Sequence, residues 1–552
     1  MSIFSSVPIT KLSRSTFNLD HENKLSFNFG GLYPILCQTV LPGDKMSLGV
    51  QSFVRTVPLL SPVMHRNDIK IDSFFVPMRL IWNKTEEWLQ CTDPTLRMPV
   101  VGFSTGWDSA PSETFWNYLT GVGSLADYLG FASLSYGDCI NDAQGNMSDR
   151  KMNILPFRTY QLIYDYYYRN KTLEPSILDD QYYSVNDDQD CLIAPGTDPR
   201  LTHFLLKYRS WRRDPFTSAL PDPQKGNPVL MPTGDIVSDG DLNLTAVKSG
   251  QTDVSGKLFV TNSAAVKSNA YQSSGDADLK YKSGLKIDSP TIEDFRYAEV
   301  LEEYEEALAR SGAGQTGSFK EWLLSIWRTL SPDARLDRPE YLGGYRGPIQ
   351  ISEVPQTSAA TNTSPQGTLA GKGLSVGGQL LFKNKTFKEP GYLMVIMSVV
   401  PKSAYFQGDP RQFLYTNPYD FPNPYFANLG EQEVYSQEIC AAHAIYNPSQ
   451  QKTFGYQVRN YEMKQIPDSI HGDLRSSLLY WHEGRNFPDD PSDYGSTGVN
   501  LNQAFVKMYP SEVSRIFPSS ESSDKLIGEF FFNFRAKRSL PYYGVPRVGH
   551  TK

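Results

Sequence analysis

Alternation of apolar and polar positions is clearest near the amino terminus. From Lys45 the run KMSLGVQSFV sets Met46, Leu48 and Val50 on one face and Ser47, Gly49 and Gln51 on the other. That is the period of a half-buried strand. Leu41-Pro42-Gly43-Asp44 supplies a turn before it. IKIDSFFV (Ile69–Val76) predicts a second strand, with Ile69, Ile71 and Phe75 on one side and Pro77 as its end. Near the other terminus, KLIGEFFFNFRAK (Lys525–Lys537) puts Phe530, Phe532 and Phe534 on a shared face, and FGYQVRNYEMKQ (Phe454–Gln465) reads as a further strand. YLMVIMSVV (Tyr392–Val400) does not alternate, which predicts a central strand buried on both faces; it is too short to cross a bilayer. The glycine-rich stretch Gly367–Gly378 reads as a flexible connection.

Helical periods are fewer. SETFWNYL (Ser112–Leu119) begins at a capping serine, and PFRTYQLIYDYYYRN (Pro156–Asn170) has proline in its first turn. In Asp294–Arg310 the stripe Phe295, Ala298, Leu301, Tyr304 and Leu308 predicts an amphipathic helix. Ser318 and Glu321 form a capping box for another, closed by Pro332. Residues 227–290 turn small and polar, as in an inserted surface segment. Residues 291–330 form a helical stretch within a long connection between strands. No internal repeat or heptad is present. The sum is mainly β: one antiparallel sandwich over residues 1–552, its strands drawn from both chain ends, with long loop insertions carrying a few helices, as in Greek-key and jelly-roll folds.

Composition narrows the function classes. The 552 residues include 32 Tyr, 30 Phe and 8 Trp, and the net charge is −7. A duplex binder working by bulk charge is therefore disfavoured, while local basic patches remain open. Five dispersed cysteines with no CxxC pair support neither a zinc ribbon nor a disulfide framework, and the amino terminus lacks an apolar signal-peptide core.

The linear motifs are weak. Gly102-Phe103-Ser104-Thr105-Gly106 fits G-x-S-x-G, but Trp107–Pro111 separates it from any helix, so a nucleophile elbow is not formed. Gly367 to Gly373 approximates a phosphate loop with one residue too few and glycine in place of the metal-binding hydroxyl. Seven scattered histidines show no metal spacing. No catalytic, cofactor-binding or metal residues are assigned. One segment stands out: Lys207, Tyr208, Arg209, Trp211, Arg212 and Arg213 interleave cations with rings. Such a pattern suits single-stranded nucleic acid, or arginines pairing with acids between subunits. Arg535, Lys537, Arg538, Arg547 and Lys552 form a second basic zone. The candidate nucleic-acid contacts are Arg209, Trp211, Arg212, Arg213, Arg535 and Arg538. Paired carboxylates for glycoside cleavage leave no linear signature, so a secreted carbohydrate-binding or glycoside-hydrolysing β-sandwich is the alternative.

Several blocks, in order, resemble the major capsid protein of the Microviridae, in particular its gokushovirus-like and Bacteroidetes branches. They are RSTFNLDHENKLSFNFGGLYPILCQTVLPGDKMSL, MHRNDIKIDSFFVPMRLIW, WRRDPFTSALPDPQKG (Trp211–Gly226), SPDARLDRPEYLGG (Ser331–Gly344), FGYQVRNYEMK (Phe454–Lys464) and PYYGVPRVGH (Pro541–His550). Residues 227–290 fall where that family holds a variable insertion. The resemblance implies an eight-stranded antiparallel jelly roll, a viral coat β-sandwich without enzymatic activity or cofactor. It implies self-assembly into a T=1 icosahedral shell, through fivefold, threefold and twofold contacts, around a circular single-stranded DNA genome. Assembly in the host cytoplasm and residence in the virion follow. A small basic DNA-binding protein, scaffolding and minor capsid proteins, and a host cell-surface receptor are the implied partners, with no membrane.

Overall fold

The computed structural model describes residues 14–103, 113–133, 151–194, 198–224, 292–310, 337–355, 369–442, 453–487, 499–518 and 524–542, and the backbone of five strands within 236–287. The chain divides into two units, Gln224–Arg310 and the remainder. The strands in chain order are β1 (Ser15–Asn18), β2 (His21–Phe27), β3 (Tyr33–Val40), β4 (Lys45–Thr56), β5 (Asn67–Pro77), β6 (Val100–Phe103), β7 (Met152–Asn153), β8 (Cys191–Ile193), β9 (Ile236–Val247), β10 (Val254–Ser255), β11 (Leu258–Val260), β12 (Val266–Ser268), β13 (Asp278–Ile287), β14 (Glu340–Pro355), β15 (Leu369–Thr386), β16 (Gly391–Pro401), β17 (Glu431–Tyr435), β18 (Thr453–Val458) and β19 (Leu526–Arg538).

The larger unit is built on one curled antiparallel sheet in the order β1-β19-β4-β15-β14-β5-β16-β3, with β2 also on β19. It has nine strands where eight were expected, because the piece facing β19 is broken at Leu19-Asp20 into β1 and β2. Period-two patterning decides which side chains face inward. Phe530, Phe532 and Phe534 are buried on β19, and Phe532 and Phe534 lie opposite buried Val50 and Leu48 of β4. β14 turns the corner of the sandwich: its Gln350–Pro355 half pairs with β15 and its Glu340–Ile349 half with β5.

β16 lies between β5 and β3 and is buried at every residue. Leu393, Val395, Met397 and Val399 enter the sandwich interior. Tyr392, Met394 and Ile396 point the other way, onto Trp82, Trp116 and the helix Leu155–Ile163. β5 repeats the division, with Phe75 in the interior and Phe74 under the helical layer. Two cores share these two strands, which accounts for their lack of alternation.

Two segments differ from expectation. The Gly367–Gly378 stretch is largely strand β15 from Leu369 onward, so it is neither a flexible connection nor a phosphate loop. Its glycines serve close packing: a Cβ on Gly371 would sit 2.3 Å from the Ser61 carbonyl oxygen, and one on Gly378 2.7 Å from that of Val50. The strand expected over Phe454–Gln465 ends at Val458. Asn460 adopts a left-handed φ of 56° and turns the chain into the short 3₁₀ helix Tyr461–Met463. The Ser318 capping box and the serine of the G-x-S-x-G motif lie outside the described residues.

In the smaller unit β9 pairs with β13 and β10, and β11 with β12. Its helix, Ile292–Arg310, leaves Phe295 and Tyr304 of the expected apolar stripe exposed at 44% and 40%. Ala298 and Leu301 are half-buried.

Phe532→Ala should lower the stability of the isolated subunit by about 3–5 kcal/mol in denaturant unfolding, the usual cost of an emptied aromatic site in a core. A loss below about 1 kcal/mol would place Phe532 outside a rigid interior.

Candidate nucleic-acid interface

On β5, Lys70 and Asp72 share the face that carries Phe74 toward the helical layer. In register with Lys70 stand Arg346 of β14 and Ser398 of β16. The apolar face of the two central strands therefore ends in a polar rung, whose Lys70 lines a cleft of about 400 Å³. Tyr166, Tyr167 and Tyr168 form one wall. They close a helix that begins at Leu155 and relaxes into a π turn over Tyr164–Tyr168. The extended segment Arg209–Arg213 forms the other wall. It is fixed at both edges: the Arg209 amide donates to the Gly30 carbonyl at 2.7 Å, and the Trp211 amide donates to that of Val506 at 3.0 Å.

Among the described residues five cations line this cleft, Lys70, Arg169, Arg209, Arg212 and Arg213, and no carboxylate does. Two are neutralised from behind. Arg209 pairs with Asp72 at 3.0 Å, donates to Ser398 Oγ at 2.9 Å and lies over the Tyr168 ring. Arg169 pairs with buried Asp165 at 2.8 Å. Tyr168 Oη also donates to Asp72, at 2.9 Å. Among the described residues Lys70, Arg212 and Arg213 make no ion pair. Burial, reinforced by the charges of Arg209 and Arg346, pushes the Lys70 ammonium from 10.5 down to about 8. An anion in the cleft would relieve that repulsion. The arrangement fits phosphates, with tyrosine rings on one side.

The sequence-predicted contacts are thus separated into two kinds. Arg212 and Arg213 are exposed at the cleft, and Arg535 is exposed in another groove with Gln51, Phe53 and Phe531. Trp211 is 3% exposed, its indole nitrogen donating toward Glu512 at 3.4 Å and its face under Arg485. A ring so enclosed has no face free for a base. Arg209 is held by Asp72 as described. Arg538 is held by buried Asp44 at 2.9 Å and donates to the Thr39 carbonyl. Sequence reading missed Lys70 and the three tyrosines. A lysine inside an otherwise doubly buried strand was the available signal for the first. No group of three or more potential metal ligands occurs among the described residues, and no helix among them is long and apolar enough to cross a membrane.

A mainly β, curled antiparallel sheet extended by long loops, with a cationic cleft among its described residues, is the architecture of the viral jelly-roll coat class. Residues 5–548 match the family described as Capsid protein (F protein), and the chain belongs to that family. It is similar to capsid protein VP1 of Bdellovibrio phage phiMH2K, 30% identical over 98% of this chain and 97% of the relative. It is likewise similar to capsid protein VP1 of Chlamydia phage 1 at 29% identity and of Spiroplasma virus 4 at 27%, each over 98% of this chain and 97% of the relative. The chain is therefore a major capsid protein of Microviridae type, a structural component of the virion that self-assembles into a shell. The sugar-active alternative is set aside by this membership.

Lys70 supplies a pH-dependent test. Above about pH 8 its charge is lost, so affinity of the isolated subunit for a short single-stranded oligonucleotide should fall several-fold between about pH 7 and 9. Lys70→Met should remove that dependence and reduce the salt slope of binding by about 0.7. The folded pKa lies below the unfolded one, so the charged form costs stability at neutral pH and ceases to do so as pH rises toward 10.5. Lys70→Met should accordingly raise the thermal midpoint at pH 7.

Proposed function

We propose that this chain builds a T=1 icosahedral shell, assembled in the host cytoplasm around a circular single-stranded DNA genome, and that the cleft of Lys70, Arg212 and Arg213 faces that genome. The cationic cleft, free of carboxylates among the described residues, on a chain of net charge −7 carries the reading. A surface selected only for solubility has no reason to hold five cations together, one of them with its charge disfavoured. Contact of this type is independent of base sequence and weakens with salt. Arg535 adds a second contact, while Arg209 acts by holding the cleft wall through Asp72 and Ser398.

An acidic subunit leaves most of the genome charge uncompensated. A small basic DNA-binding protein therefore joins the particle, and scaffolding and minor capsid proteins complete the assembly partners. The domain reading keeps residues 1–552 as one jelly-roll capsid domain, with 227–290 as its variable surface insertion and 291–330 as a helical segment in a long inter-strand loop. That residues 224–310 form a compact unit of their own supports a role for the insertion outside the sandwich, in contact with a host cell-surface receptor.

Two measurements test these assignments. Reversing charge with Arg212→Glu and Arg213→Glu should lower the nucleic-acid content of purified particles while leaving subunit solubility unchanged; undiminished packaging would reject the genome contact. Deleting 227–290 should leave shells intact and reduce attachment to host cells; failure to assemble would reject the receptor role.

A further inference from the structure

Between Arg411 and Glu431 the chain reads QFLYTNPYDFPNPYFANLG, and Asp420 is the one charged residue in it. Phe413, Tyr419, Phe421, Tyr425 and Leu429 are exposed at 73%, 77%, 67%, 93% and 63%. Such a concentration of apolar surface is unusual for a protein that works alone. The segment is nonetheless well ordered by its own polar groups. Asp420 accepts from the Thr416 amide at 3.0 Å and the Asn417 amide at 2.8 Å, and Asn423 accepts from the Tyr425 amide at 3.0 Å. Edge-on ring contacts link Tyr415 to Phe421 and Tyr419 to Phe426.

The amino-terminal end of the segment is tied by side chains to the body of the larger unit, and its carboxyl-terminal end leads into β17, which pairs with β18. Arg411 pairs with buried Glu438 at 3.2 Å and stacks on Tyr435 at 4.2 Å. Tyr415 Oη donates to Glu462 at 2.8 Å. The single carboxylate inside the segment, Asp420, is held through one oxygen by the two amides it caps, and no other charged residue stands among the rings.

We infer that Phe413–Leu429 is a docking surface for a second copy of this chain, one of the contacts that join neighbouring subunits. The inference rests on the self-assembly of the capsid family and adds the place where it happens. Three observations favour a copy of the chain over another occupant. The segment is depleted in charge and rich in aromatics, the composition of an interface centre. Its conformation is fixed before contact, which lowers the ordering cost of association. The five side chains offer on the order of 600 Å² of apolar surface, most of the ~800 Å² per partner in a standard interface. A short peptide or a sugar would cover only part of it.

The test uses the full-length chain. In hydroxyl-radical footprinting, Phe421 and Tyr425 should be reactive in dissociated subunits and lose reactivity at least fivefold in assembled particles, by roughly the factor that burial of an exposed ring implies. The double variant Phe413→Ser and Tyr425→Ser should retain the circular dichroism and thermal midpoint of the parent, because both side chains are exposed and neither takes part in the ring contacts that order the segment. It should raise the subunit concentration needed for assembly about tenfold or more. Rings that stay equally reactive in particles, together with normal assembly of the variant, would overturn this docking surface and leave the shell itself untouched. Failure of the folded parent chain to form any particle would instead overturn self-assembly, and the docking surface with it.

Discussion

Burial of β5 and β16 on both faces is the constraint on which the rest of the molecule depends. Two neighbouring strands serve two cores at once, the interior of the sandwich and the layer beneath the helix Leu155–Ile163. Neither core can rearrange without disturbing the other, because close-packed interiors do not deform continuously. The same strands set the cleft. Where their apolar side chains give out, Lys70, Asp72 and Ser398 remain on the helical face, and Arg209 is drawn down onto Asp72 and Ser398. The charge of the cleft is therefore mounted on the most rigid part of the fold, with Arg212 and Arg213 a few residues beyond the anchor.

A second consequence concerns the two chain ends. β19 lies between β4 on one side and β1 with β2 on the other. The Leu19 amide donates to the Phe534 carbonyl at 2.8 Å, and Asn28 donates to Asp524 at 2.8 Å. This edge of the sheet thus joins residues from opposite ends of the sequence. Such non-local pairing delays completion of the sheet and leaves β4 without its β19 neighbour until the carboxyl-terminal strand arrives.

Much of the sheet was legible from side-chain period, and the reasons are particular. Met46, Leu48, Val50, Phe530, Phe532 and Phe534 alternate because each strand has one wet face. Tyr392–Val400 was legible from the opposite signal, an unbroken apolar run. β15 was not, since its glycines answer to the backbone of Ser61 and Val50, groups distant in sequence. The end of β18 at Val458 depends on the left-handed turn at Asn460, which periodicity does not register. At the site, interleaved charge and aromatic residues led to a segment that lines the cleft but could not rank its members. Whether an arginine is free or held depends on its partners, and Asp72 and Asp44 lie far away in sequence from Arg209 and Arg538. Trp211 illustrates the same limit: its indole is enclosed by Glu512 and Arg485, contributed by later parts of the chain.

In this molecule function resides in shape, edges and the placement of charge. Membership of the capsid family identifies a shell-forming protein, and the two proposals give the cleft and the aromatic segment different tasks on one subunit. The most direct test is a cryo-electron microscopy reconstruction of genome-filled particles. The account predicts that the wall of Lys70, Arg212 and Arg213 opens to the particle interior with nucleic-acid density against it. A cleft that opened to the outside, or that was filled by carboxylates of a neighbouring subunit, would contradict it.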